Sequence, residues 1–451
     1  VTVAEPLSLD ARLEALTSED LERALAVFRG SLRESEAAGL NACVRCGLCA
    51  ESCHYFLSDR VPENVPAAKL GEVAAVFRRR FTAAGKLLPA LVGAKEWGRG
   101  AAAAWLDAAF GRCSLCGRCS LNCAVGINIP AVLRAARGAL ASVGIIPDDL
   151  RGTVTTALST GNNMGISKED FLETVAWLEE ELQTESGDPS ARIPVDREGA
   201  EFLFTVNPRE PKFFPLSLLA SARVFHAAGA SWTLPSEGWD LTNYGLFSGE
   251  AEAGAALARM HWEAARRLKC RTLVLGECGH GFAAERWEGP EWLGEPHPFG
   301  VIHILELMDR WLEEGRLTVD PARTPKRVTL HDPCNLVRHG GIREPQRRIL
   351  RRAVAEFAEM TPHGEENFCC GGGGGQLGMA RYRDRRIRSG SIKADQIRRS
   401  GAAIVATPCH NCIDQLGELN KEYKLAVQIK SVAEIVADAL VPTPSSHEVT
   451  R

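Results

Sequence analysis

Thirteen of the fifteen cysteines in this chain of 451 residues fall into three spaced sets, and that spacing constrains the fold more than any other feature. The first set is Cys43-x2-Cys46-x2-Cys49-x3-Cys53, and Cys113-x2-Cys116-x2-Cys119-x3-Cys123 repeats it. The third is spread over Cys334, the adjacent pair Cys369-Cys370, and Cys409-x2-Cys412. Three thiolates at three-residue intervals followed by a fourth form the ligand run of a four-iron, four-sulfur cluster. A structural zinc site closes with four ligands and rarely carries a third cysteine two residues beyond a C-x2-C pair. For Cys409-x2-Cys412 taken alone, zinc stays open. Disulfides suit small secreted scaffolds, whereas this chain is long and its first residues show no basic region followed by an apolar stretch. The reducing cytoplasm is the expected compartment.

With 45% hydrophobic residues the composition is that of an ordinary folded chain, and the length suggests about three domains. A net charge of −4 gives no reason to expect nucleic acid as a partner, despite basic stretches at Arg78 to Arg80 and between Arg381 and Arg399. No segment has the roughly eighteen uncharged apolar residues needed to cross a bilayer, so membrane association is expected only through a partner or a surface helix.

From Leu9 to Gly39 the apolar residues recur at helical spacing, with Ser18-Glu19-Asp20 as an expected helix start. Helices are also expected over Ala67 to Ala84, Ala101 to Phe110, Ile129 to Val143 and Lys168 to Gln183, with a connector marked by Pro147 and Gly161 to Gly165. Beyond Pro194 short apolar runs alternate with helical stretches, the pattern of an α/β domain. Strands are expected at Phe202 to Val206, Thr272 to Leu275, Arg327 to His331 and Ala403 to Ala406. Two halves of this region repeat each other: Phe204 to Arg209 parallels Thr329 to Cys334, and Leu273 to Cys278 parallels Ile404 to Cys409. Tyr244-Gly245 likewise parallels Cys370-Gly371.

The first two cysteine runs resemble those of two-cluster ferredoxins, in which the fourth cysteine reaches across to the other cluster. That resemblance implies that Cys123 joins Cys43, Cys46 and Cys49, while Cys53 joins Cys113, Cys116 and Cys119. His54 and Ala124 stand where such runs usually have proline. The third set, with Phe368-Cys-Cys-Gly371, resembles the CCG domain of heterodisulfide reductases. Together with Cys43-Val-Arg-Cys-Gly-Leu-Cys49, Cys53-His54-Tyr55 and Gly276-Glu-Cys-Gly-His280, it makes most of the chain similar to the D-type subunit of heterodisulfide reductase and to the DsrK-type subunits of membrane redox complexes.

The resemblance implies an α+β multi-domain fold: an all-helical ferredoxin domain with two [4Fe-4S] clusters, then a duplicated α/β CCG domain. The expected segments are a helical extension (1–34), the ferredoxin domain (35–150), a helical connector (151–194), a degenerate first repeat (195–322), a second repeat with the cluster site (323–440) and a tail (441–451). The implied cofactors are two cubane clusters and one non-cubane [4Fe-4S] centre held by Cys334, Cys369, Cys370, Cys409 and Cys412. The glycines Gly371 to Gly375 would leave room there for cluster and substrate sulfur. The implied activity is reduction of a disulfide or trisulfide, on a small sulfur-carrier protein or a thiol substrate, with electrons from a haem b membrane subunit that oxidises a quinol. An alternative is a relay subunit like the iron-sulfur partners of glycolate, lactate or glycerol-3-phosphate dehydrogenases.

The first repeat has Arg209, Asn243 and Tyr244 where the second has Cys334, Cys369 and Cys370, and Gly281 in place of Cys412. Cys278 alone survives, so a second non-cubane centre is not expected. If it faces the same cleft as Cys409, its thiolate is a candidate to exchange with substrate sulfur, with His280 or Glu277 as candidate proton donors. The plainer alternative is a buried relic beside a turn histidine. His331, His339 and His410 lie near ligands in sequence. Cys270 is read as packing. Arg381, Arg385 and Arg388 share a helical face by spacing, as a solvated face or a site for an acidic partner.

Overall fold

The computed structural model describes residues 7–441. The chain divides into two compact units. The first comprises the chain through Val154 together with Tyr244–Glu252 and Phe368–Lys393, and the second holds the remainder.

Among the described residues the first unit has helices and turns but no strand. Its N-terminal helices are Leu9–Ala15, Ser18–Ser31 and Glu34–Ala42. The second starts at Ser18, as expected, with Thr17 as its cap. The Thr17 hydroxyl accepts from Asp20 N at 3.1 Å while the Asp20 carboxylate accepts from Thr17 N at 3.0 Å, satisfying donors that a helix end otherwise leaves open. Helix Pro66–Phe81 opens on proline, whose missing N–H costs nothing in a first turn. Phe28, Trp97 and Trp105 pack with ring centroids 4.7 and 4.6 Å apart. The expected connector after Pro147 holds a further helix, Asp148–Thr160, with both aspartates in its first turn where the helix dipole favours them.

The second unit contains two four-stranded parallel sheets. The first is built from β1 (Phe202–Thr205), β2 (Trp232–Thr233), β3 (Thr272–Leu275) and β4 (Gly300–His303), in the order β2-β1-β3-β4. The second, from β5 (Val328–Leu330), β6 (Phe357–Ala358), β7 (Ile404–Ala406) and β8 (Gln428–Lys430), has the order β6-β5-β7-β8. The four strands expected from sequence are the central pairs, since a strand covered on both faces reads as an unbroken apolar run. Among the four edge strands, β2 and β6 have only two residues each, and β4 and β8 carry Gly300, Gln428 and Lys430, so they escape that reading. Helices Pro215–Ala227 and Val432–Ala439 pack against each other, one from each sheet's neighbourhood.

Two segments depart from the expected boundaries. Tyr244–Glu252 and Phe368–Lys393, expected inside the α/β region, both belong to the first unit. Of the expected tail, all but Val441 lies outside the described residues.

Candidate iron-sulfur sites

In the first unit the two cysteine loops have the same backbone. Arg45 and Leu115 have φ of 56° and 53°, and Gly47 and Gly117 have φ of 86° and 82°. A left-handed non-glycine residue costs about 1 kcal/mol, and here it recurs at the same place in both loops. One result is a backbone N–H aimed at sulfur: Leu115 N lies 3.4 Å from Cys113 Sγ.

Each loop borders a cavity. One is lined by Cys43, Cys46, Cys49 and Cys123. The other is lined by Cys53, Cys113, Cys116 and Cys119. Four soft sulfur donors around one volume suit an iron-sulfur cluster. Burial pushes the Cys49, Cys113 and Cys119 thiols up from their usual range, a penalty on the thiolates that bound iron would offset.

The surroundings of the two cavities differ. At the first, Cys46 is exposed, as are Val44 and Leu48. The second is lined by the buried side chains of Lys69, His54 and Ser114. His54, in the place of the missing proline, begins helix His54–Asp59 and brings its Nε2 within 3.0 Å of Ser114 Oγ. Ser114 Oγ in turn lies 3.5 Å from Cys369 Sγ. Ligand atoms of His54, Cys116 and Cys369 all fall within 4.8 Å of one another. Within the first unit, then, one cysteine of the third set sits beside a cysteine of the second.

The glycine run is fixed by packing. A Cβ on Gly374 would stand 2.6 Å from the Ser114 backbone, and Gly374 has φ of 64°. Arg137, with no exposed surface, donates to the carbonyls of Ala109, Cys113, Phe247 and Gly374 at 2.7 to 3.0 Å. Gln376 Nε2 adds bonds to Phe110 O and Cys113 O. The expected open space over Gly371 to Gly375 is thus partly taken up by contact with the loop of the second run. Arg381 and Arg385 do not form a bare cationic face, for they pair with Asp10 and Asp107.

In the second unit Cys278 follows β3 and Cys409 follows β7, at the carboxyl ends of strands where α/β folds place their sites. Cys278 is buried with no exposed surface, and its Sγ lies 3.2 Å from His280 Nδ1. Its hydrogen bond to Cys409, added to burial, keeps the Cys278 proton on. Bonds from Cys278 and Cys412 hold Cys409 well below the usual thiol range. Burial pushes His280 down to about 4, so its ring is neutral near pH 7.

Glu277 has a different job from the one expected. Its carboxylate oxygens accept from Val432 N at 3.1 Å and Ala433 N at 2.8 Å, capping helix Val432–Ala439 instead of facing sulfur. Its carbonyl accepts from His410 N at 3.1 Å. His331 rests against Asn367 Nδ2 at 3.3 Å, His339 ends the turn Asn335–His339, and Cys270 leans on Leu268 O at 3.7 Å. Arg209, in the place equivalent to Cys334, forms an ion pair with Asp414 of helix His410–Glu422.

Gly279 lets the segment after Cys278 approach the segment after Cys334. A Cβ there would lie 2.6 Å from Leu336 N. Gly279→Ala is expected to destabilise the protein by about 1–3 kcal/mol through overpacking, seen as a lower urea midpoint. Of the third set, Cys334, Cys409 and Cys412 lie in the second unit, and Cys369 and Cys370 in the first.

Sequence reasoning missed Lys69, Ser114 and Arg137. Only Ser114, inside the Cys113-x2-Cys116 loop, had any local signal.

Comparison with known proteins finds the same two kinds of iron-sulfur domain. Residues 39–127 match the family described as a 4Fe-4S dicluster domain, and residues 328–417 match the cysteine-rich domain family, CCG. The Hdr-like menaquinol oxidoreductase iron-sulfur subunit 2 of Archaeoglobus fulgidus is 29% identical over 90% of this chain and 80% of its own length. The D-type subunit of the dihydromethanophenazine:CoB--CoM heterodisulfide reductase of Methanosarcina acetivorans is 27% identical over 89% of this chain and 94% of its own. A more distant relative, the EtfAB:quinone oxidoreductase of Syntrophomonas wolfei, is 23% identical over 89% of this chain and 58% of its own. The chain is a homologue of the D-type subunits of heterodisulfide reductase and of the Hdr-like iron-sulfur subunits, carrying a 4Fe-4S dicluster domain followed by a cysteine-rich domain.

Proposed function

We propose that this protein is the iron-sulfur catalytic subunit of a quinol-linked membrane redox complex. In this reading two cubane [4Fe-4S] clusters pass electrons to a non-cubane [4Fe-4S] centre that reduces a disulfide or trisulfide. The observation that carries it is the pair of four-cysteine cavities in the first unit, one of which has Cys369 of the third set beside its ligand Cys116. The crossed sets Cys43, Cys46, Cys49, Cys123 and Cys53, Cys113, Cys116, Cys119 are the proposed cubane ligands. Cys334, Cys369, Cys370, Cys409 and Cys412 are proposed for the third centre. The absence of strands among the described residues of the first unit supports an all-helical ferredoxin domain. The matching strand orders of the two sheets support a duplication. The names of the relatives support quinol as the electron source and attachment to other subunits, here taken to include a haem b membrane subunit. No described helix is long and apolar enough to cross a membrane, so peripheral attachment on the cytoplasmic side through those subunits is part of the proposal.

Bound clusters would supply one-electron steps to a substrate sulfur from a small sulfur-carrier protein or a thiol compound. The chain's own groups would set the conditions. Cys278 donates its S–H to Cys409 and so steadies that thiolate, with His280 Nδ1 close to the Cys278 sulfur. Because Cys278 is buried, direct exchange with substrate sulfur requires an opening of the site, whereas the hydrogen bond to Cys409 requires none. Glu277 acts as a positioning residue through its cap on Val432–Ala439.

The test is anaerobic purification with partner subunits, iron and zinc analysis, and paramagnetic resonance after oxidation and reduction. About twelve irons per chain, from three four-iron clusters, and an oxidised signal that changes on adding a thiol are expected. About eight irons with roughly one zinc and no reoxidation by a disulfide would overturn the proposal. They would instead favour a relay subunit, the second reading, which the likeness to the EtfAB:quinone oxidoreductase supports. Co-purification of a flavoprotein would point the same way.

A further inference from the structure

We infer that Lys69 sets the two cubane sites apart, making the one at Cys53, Cys113, Cys116 and Cys119 the easier to reduce, so that electrons run from the Cys43 site toward it. This rests on the proposal that both cavities hold clusters.

Lys69 lies on helix Pro66–Phe81 and is 2% exposed. Its Nζ is 3.4 Å from Cys53 Sγ and 5.0 Å from the centroid of the Tyr55 ring, and it lines the second cavity. No carboxylate pairs with it among the described residues. A buried ammonium without an anion carries a large desolvation penalty, and the groups that would offset it are the cysteine sulfurs as iron-bound thiolates.

The first cavity has no such group among the described residues. The cations near Cys43 are Arg45 and Arg78, of which Arg45 is exposed and Arg78 partly so. Water and salt screen charges in that position, whereas a charge inside a buried pocket is screened much less. One-electron reduction adds one negative charge to a site with four thiolates. A fixed positive charge 3.4 Å from one of those sulfurs favours the reduced state of that site over the other. The gradient then points toward the site whose ligand Cys116 lies beside Cys369.

The test is a dithionite titration of the whole chain followed by paramagnetic resonance, on the natural protein, Lys69→Met and Lys69→Arg. The signal of the second site is the one that Cys119→Ala removes. In Lys69→Met the reduced-to-oxidised ratio of that signal at fixed potential is expected to fall at least tenfold, about 59 mV for one electron. The other cubane should stay where it was, and Lys69→Arg should restore most of the difference. Unchanged potentials in Lys69→Met with full iron content would overturn the inference, as would equal shifts at both sites. Loss of iron from Lys69→Met and Lys69→Arg alike would overturn it too, assigning Lys69 to assembly of the site. A natural protein with no reduced cubane signal would overturn the cluster proposal itself, a result separate from the others.

Discussion

Arg137→Ala is expected to cost the first unit about 3–5 kcal/mol, the range for removing one member of a buried charged network. The guanidinium has no exposed surface and bonds four carbonyls from three chain segments: Ala109 and Cys113, Phe247, and Gly374. It also lies over the Phe110 ring, 4.5 Å from the centroid. Alanine would leave those acceptors buried without a donor, at about 1–3 kcal/mol for each unsatisfied group. Arg137→Lys should recover little, since one ammonium cannot reproduce a planar fork that reaches several carbonyls at once. The check is the urea midpoint of both variants, with limited proteolysis reporting release of Tyr244–Glu252 and Phe368–Lys393. Midpoints within about 0.5 kcal/mol of the natural protein, the range of an ordinary surface change, would mean that the four-way bond does not hold the segments together.

The second large effect concerns pairing of the cysteine runs. Cys53→Ala is expected to remove the same cubane signal as Cys113→Ala, and Cys123→Ala the same as Cys46→Ala, each with loss of about four of about twelve irons. Cys53 lines the cavity of the second run and Cys123 that of the first. If each run instead served its own cluster, Cys53→Ala and Cys46→Ala would delete the same signal. Spectra of the four variants, with iron counted on the same samples, separate these outcomes. The crossing would follow from chain geometry: Cys53 precedes helix His54–Asp59, which turns its first residues toward Ser114 on the other loop.

How much the sequence settles varies from element to element. The central strands β1, β3, β5 and β7 can be read because burial on both faces demands an unbroken apolar run, a local property. Their edge partners cannot, because two to four residues at a sheet margin need no such run. The helices of the first unit are legible by period, and the dicluster and cysteine-rich domains by cysteine spacing, since metal ligands must recur at distances the backbone can fold around one group.

What the sequence leaves open depends on which distant residues meet. Nothing near Lys69 distinguishes it from a surface lysine of an amphipathic helix, yet the fold buries it against Cys53. Arg137 reads as one more helix residue until its four carbonyl partners arrive from Ala109, Cys113, Phe247 and Gly374. Glu277 reads as a proton donor because it precedes Cys278, but the tertiary structure turns its carboxylate onto the end of a helix more than 150 residues away in sequence. The proposed ligands stand out by local spacing, because a cluster asks for several sulfurs within a few residues. Charge placement, capping and the assignment of Phe368–Lys393 to the first unit are decided by long-range packing, because burial is a property of the assembled core and not of any short stretch of chain.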